Sequence, residues 1–286
     1  MQVWLDVTAG VAGDMLMGAL VDAGADLSAV QRAIRAVAGD DVATYREAVV
    51  RAGLPATQLH VDIITRGAGR QTWPQLRDVV TRADLHPDTT ANALRTLERL
   101  MSAYSVAHDV PPDEVALHEV AALDVLADVV GDCEAMRTLG VTRVTASPLA
   151  LGSGRIRTSR GDLPVPMPVV ALLADGWPVR NPPEPAPRPE PPTDPEPAGD
   201  RQRVPVDRYM PLGSVEGGDG RFTEGPAPVV GRHGLGELAT PTGTALLRSF
   251  ATSCLPDPPF QVRRIGVGAG GRDVPERPNV VRVSTS

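Results

Sequence analysis

The sequence predicts an α/β fold: a mixed sheet covered by helices, with a long disordered Pro-rich insertion. Three observations predict it. Short apolar runs near both ends, Val3–Val7, Phe260–Val267 and Asn279–Val283, read as strands, so the sheet draws on both termini. Between them, several segments carry apolar residues at helical spacing. From Asn181 the chain reads NPPEPAPRPEPPTDPEPAGD, nearly all Pro, Glu, Asp and Ala, a composition that cannot assemble a packed core. The expected organisation is an α/β core over 1–180, a Pro/Gly-rich insertion over 181–231, and the remainder of the core over 232–286.

Bulk composition narrows the function. With 286 residues, 42% hydrophobic and 22% charged, the chain is long and apolar enough to bury a core. Only 3% is aromatic, so that core must be built from Ala, Val and Leu. A net charge of −7 argues against nucleic acid or an anionic membrane as partner. Cys133 and Cys254 make neither a disulfide framework nor a CxxC metal knuckle. The opening MQVWLDV has no basic region, and no apolar run approaches the ~20 residues of a membrane span. The expected location is the cytoplasm.

In chain order, the Val3–Val7 strand leads into a glycine turn, Thr8–Gly13, and a helix from Asp14 through Ala23. A strand, a glycine turn and a helix start bring backbone N–H groups to one place, with Asp6 and Asp14 at its edge. Such carboxylates accept a metal ion or a metal-bridged phosphate; Asp14 reads equally well as a plain helix cap. A helix follows at Leu27–Val37, then strands at Val42–Val50 and Ala56–Ile64 joined at Gly53–Pro55. Helices are expected at Trp73–Ala83 and about Asp88–Ala107, with His108 as a cation at the second helix's end. Val141–Leu149 reads as a strand, Leu151–Gly154 as a turn, and Asp162–Leu173 as a Pro-entered helix. Beyond the insertion, Thr240 or Thr242 caps a helix from about Gly243 to Ala251. GVGAGG, Gly266–Gly271, lacks a following helix and is expected to be a loop, not a dinucleotide fingerprint.

Val115–Asp132, VALHEVAALDVLADVVGD, is the most chemically loaded stretch. Val120, Leu123, Leu126 and Val130 can share a buried helix face, while Asp124, Asp128 and Asp132 stack four apart along one side. That repulsion costs a few tenths of a kcal/mol per pair, which a cation would offset. His118 and Glu119 sit at the expected helix start, and imidazole with carboxylates suits a divalent transition metal. On residue types alone, a solvated acidic face is the commoner explanation.

Six motifs in order resemble the LarC-type nickel-insertion protein family: LDVTAGVAGDM at 5–15, LHEVAALDVLADVVG at 117–131, SPLALGSG at 147–154, GDLPVPMPV at 161–169, GELATPTGTALL at 236–247, and IGVGAGGRD with PNVVRV. The resemblance implies Ni(II) insertion into pyridinium-3,5-bisthiocarboxylic acid mononucleotide, forming carbon–nickel and sulfur–nickel bonds, with CTP needed. This would make the chain a nickel chelatase of the lyase class. The matching positions are Asp6, Asp14, Glu119, Asp124, Asp128, Glu237, His108 and His118; ligand chemistry makes Asp6 and Asp14 the catalytic candidates and the other six the metal candidates. Gly10, Gly13, Thr240 and Thr242 become candidates for holding the substrate's phosphate. The chain departs from the family pattern at Gly67-Ala68-Gly69, where members carry a His run, at Ala116 and Ala121, and at Arg160. The family's CTP-binding domain follows PNVVRV, so Mg-CTP is expected through that domain, a separate partner chain or a homo-oligomer. Two other readings stand beside this one: a non-catalytic nickel-binding or scaffold relative, and a metal-dependent phosphoester hydrolase using Asp6 and Asp14 with Mg(II).

Overall fold

In the computed structural model, residues 1–64, 69–158, 161–183, 235–274 and 277–286 are described. From residue 184 on, the expected insertion lies outside them, as do Gly67, Ala68 and Arg160.

A seven-stranded mixed sheet forms the frame. Its strands are β1 (Gln2–Asp6), β2 (Val42–Arg51), β3 (Leu54–Ile63), β4 (Arg143–Ala146), β5 (Ala251–Cys254), β6 (Arg264–Ala269) and β7 (Val280–Thr285), in the order β5-β4-β1-β7-β6-β3-β2. The two ends of the chain do meet in its centre. β1 lies between parallel β4 and antiparallel β7, with Asp6 opposite Arg282. β2 and β3 form a hairpin closed by Ala52 and Gly53, both at positive φ (46° and 81°), the geometry of a tight two-residue turn.

Seven helices accompany the sheet among the described residues: α1 (Gly13–Asp22), α2 (Leu27–Ala38), α3 (Trp73–Arg82), α4 (Pro87–His108), α5 (Glu119–Thr138), α6 (Pro168–Ala174) and α7 (Pro241–Phe250). Local chemistry sets several boundaries. Asp26 accepts from Ser28 N and Ala29 N at the start of α2, and Gly39 at positive φ ends it. Gln75 accepts from Thr72 N at the start of α3. Thr240 accepts from Gly243 N and caps α7, ahead of Pro241 at its first position. None of the described helices is long and apolar enough to cross a membrane.

Three expectations need correction. Asp162–Leu173 is not one helix: Gly161–Pro164 pairs with Arg155–Thr158 as a short ribbon, and the helix begins only at Pro168. Pro164, Pro166 and Pro168 each bias the residue before them away from helical backbone. The strand expected over Val141–Leu149 is confined to Arg143–Ala146. GVGAGG is not a loop. Gly266 and Gly268 lie within β6, where a Cβ on either would fall inside 3.0 Å of the α1 backbone, at Ala19 and Met15 respectively. The glycines let α1 lie directly on the strand. Side chains alternating to the other face, such as Ile265 and Arg282, are largely exposed.

α5 runs through the middle of the helical layer, touching α1, α2, α4 and α7. From Ala122 to Met136 every residue except Asp124 is buried. A helix apolar all round is an interior helix. The single buried face expected from Val120, Leu123, Leu126 and Val130 is therefore too narrow, and the acidic residues do not form a solvated stripe.

Candidate functional site

β1, β4 and β5 are parallel, so their carboxyl ends share one edge of the sheet, where open α/β sheets hold ligands. After Asp6 the chain turns through Thr8–Ala12 into α1. Gly10, at φ 105°, sits so close to the Leu238 carbonyl that a Cβ has no room. Val11 N donates to Leu238 O (3.0 Å) and Thr240 N donates to Val11 O (2.9 Å). Gly243, in the first turn of α7, packs on the backbone of Val11 and Ala12. Gly236–Glu237 pairs with Gly152–Ser153, and the Asn181 carboxamide holds the backbone of Leu151 and Gly152. Segments far apart in sequence are thus stitched around the turn between β1 and α1.

Carboxylates gather beside this turn. α1 crosses α5 at Gly13, and a Cβ there would overlap the Asp128 carboxylate. Asp128 Oδ1 and both carboxylate oxygens of Asp132 are buried without a hydrogen-bond partner. Burial pushes the Asp128 carboxyl well above the usual range, and the charges of Asp124, Asp14 and Asp132 push the same way. Asp132 is raised likewise, by burial first and by Asp14 second. On the other side of the turn, Glu237 Oε1 is buried and unpartnered. Burial pushes its carboxyl up to about 7 against the opposing charge of Arg272. A group near 7 can exchange a proton at neutral pH.

The structure brings Asp14, Asp124 and Asp128 into one electrostatic field, with Asp132 as a fourth member. Gly10 and Gly13 contact Leu238 and Asp128; Thr240 caps α7 and Thr242 is buried in its first turn. Asp6 is not grouped with Asp14. It is buried, accepts from Thr8 N and Thr8 Oγ1, and is ion-paired with Arg282. Its register partner Arg282 alternates with Val281 and Val283, which face α1, so Asp6 lies on the opposite face. Arg282→Met leaves that carboxylate buried without its cation. Because the Arg282 side chain is half exposed, a loss of about 1–2 kcal/mol is expected in urea unfolding.

His118 is the exposed residue just before α5 and makes no capping bond with its side chain. Glu119 opens that helix, with its side chain outside the described residues. His108 is exposed in the last turn of α4, stacked on Tyr104. Among the described residues no three His, Cys, Asp or Glu side chains are gathered to hold a metal ion. Sequence reasoning gave no role to Arg272 and Arg277, although Arg272 lies in the GGRD motif; only the fold places Arg272 on Glu237.

The model of the nickel insertion protein family matches residues 3–199 and 210–286. The chain belongs to this family. A pyridinium-3,5-bisthiocarboxylic acid mononucleotide nickel insertion protein of Nocardioides sp. is 39% identical over 280 residues, covering 98% of this chain and 58% of the relative. A protein of the same name from Desulfitobacterium hafniense is 28% identical over 281 residues, covering 98% of the chain and 57% of the relative. The chain therefore spans under two thirds of the length of these nickel insertion proteins. No solved structure matches it. Membership bears out the resemblance carried by the six motifs.

Proposed function

We propose that this chain works in nickel insertion into pyridinium-3,5-bisthiocarboxylic acid mononucleotide, the substrate in its relatives' names, with Ni(II) as the second substrate. The observation carrying the proposal is that Asp128 and Glu237, beside the Thr8–Ala12 turn, each keep one buried carboxylate oxygen without a hydrogen-bond partner. Carboxylate and imidazole hold Ni(II) exchangeably, as a protein that must release the metal requires. In this proposal the start of α5, with His118, Glu119 and Asp124, receives Ni(II), and His108 adds an imidazole nearby. Asp128 and Glu237 take it inward, each giving up its proton as the metal binds. When the carbon–nickel bond forms, the ring carbon must lose a proton; half-buried Asp14 accepts it. Asp6 contributes by holding the turn through Thr8. Mg-CTP is assigned to the length of the relatives that this chain does not span, to a partner chain or to a second copy. The setting is the cytoplasm, and the reaction belongs to the lyase class.

A nickel carrier without chemistry is the second reading. It is favoured by the family histidines replaced at Ala116 and Arg160 and by the Pro-rich insertion. Phosphoester hydrolysis gains no support, since it needs Asp6 beside Asp14. Calorimetry of the purified chain with Ni(II), Zn(II) and Mg(II), with and without CTP, tests these readings. Ni(II) is expected to bind in preference to Mg(II), and Asp128→Asn to weaken it about tenfold or more through loss of a charged ligand. An effect of CTP points to insertion. Equal Ni(II) binding by wild type, His118→Ala and Asp128→Asn would remove the site from α5.

A further inference from the structure

The substrate carries one phosphate monoester, and neither turn where sequence suggests an anion has room for it. Gly10 is packed on the Leu238 carbonyl and Gly243 on the Val11–Ala12 backbone. The N–H groups of Gly10 and Val11 are bonded to Val7 O and Leu238 O, and that of Gly243 to Thr240 Oγ1. These glycines serve close backbone packing. A pair of cationic side chains lies next to them instead, in the segment after β6. Gly270 abuts Met15 in the first turns of α1. From there the chain places Arg272 on Glu237, its guanidinium donating to Glu237 O at 2.6 Å. Asn279 clamps this segment by donating to Arg272 O (3.2 Å) and accepting from Gly270 N (3.0 Å).

Arg277 lies in the same segment, half-buried, and its Nε is buried without a hydrogen-bond partner. Burial, and after it the nearby positive charge of Arg272, weakens its hold on the proton. Two like charges held together at a cost, one with an orphaned donor, form an arrangement that a dianion relieves. Among the described residues the neighbouring acids do not fill that role; Glu276 lies outside them. Glu237 turns its backbone oxygen to Arg272 and keeps Oε1 unpartnered, and Asp273 is exposed.

We propose that Arg272 and Arg277 form the phosphate subsite for the mononucleotide, resting on the nickel-insertion reading above. The phosphate would take Arg277 Nε and the Arg272 guanidinium. The pyridinium ring would then be directed along Glu237 and the Thr8–Ala12 turn toward Asp128. These groups are neighbours in the fold: Arg272 touches Glu237, Leu238 touches Gly10 and Val11, and Gly13 touches Asp128.

The test is calorimetry of the full chain with pyridinium-3,5-bisthiocarboxylic acid mononucleotide and with its dephosphorylated nucleoside. Wild type is expected to bind the mononucleotide at least about tenfold more tightly than the nucleoside, with inorganic phosphate competing for the difference. Arg272→Gln and Arg277→Gln are each expected to remove most of that preference while leaving nucleoside binding unchanged. Arg277→Lys, which keeps the charge, should retain part of it, and unchanged melting temperatures separate binding from folding. If wild type prefers the mononucleotide and both Gln variants keep that preference, the subsite is overturned and the nickel-insertion reading survives. If wild type binds neither compound, both fall.

Discussion

Gly268→Ala is expected to cost about 3 kcal/mol or more of folding stability, a large share of what a domain possesses. One methyl group has this effect because of what it meets. The Cβ position at Gly268 lies inside contact distance of Met15 O and Ala19 N, both backbone atoms of α1. A flexible side chain could swing away, whereas a helix backbone must move as a body. That movement would separate α1 from β3 and β7 and disturb the Gly13–Asp128 crossing one half-turn before Met15. Gly140→Ala is the matching control. A methyl there meets nothing within 4 Å, and only the positive φ of 67° opposes it, so about 1 kcal/mol is expected. Urea unfolding of the two variants reads the difference. Similar costs at both positions would show that α1 does not press on β6.

Asp132→Asn is expected to stabilise the metal-free chain at pH 8 by about 1–3 kcal/mol and to change little at pH 4. Asp132 is fully buried with neither oxygen partnered, and its folded-state pKa is raised. An unfolded aspartate titrates near 3.9. Below that pH both states hold the proton and the site carries no charge penalty. Above it the unfolded chain gains by ionising while the folded chain resists, so wild-type stability falls as pH rises from about 4 toward the raised folded pKa. Asn holds no charge at any pH and escapes this loss. Urea titrations at the two pH values, with a chelator present, measure it. A variant destabilised equally at both would mean that the Asp132 carboxylate has a stabilising partner. Asp128 shares the same field, so the opposite consequence at the same crossing, weaker Ni(II) binding by Asp128→Asn, would show that the tolerated instability serves the metal.

Much of this protein was legible from local chemistry. Hairpin β2–β3 follows from apolar runs around a glycine, α2 from Asp26 and Gly39, α7 from Thr240 and Pro241, and each boundary depends on residues a few positions apart. The glycine strand β6, by contrast, was misread as a loop. Its low side-chain content looks like flexibility until a helix more than two hundred residues away is laid on it. The acids of α5 were visible as a spacing, but a fourfold repeat is the same whether its helix is solvated or enclosed. Residue types and order determined the family, the caps and turns, and a central strand drawn from each end. Tertiary structure alone decided that Asp128 and Asp132 are buried, that Asp6 faces away from Asp14, and that Arg272 reaches Glu237. The reason is physical: a carboxylate's chemistry depends on the dielectric and the charges around it, and those come from packing between distant segments.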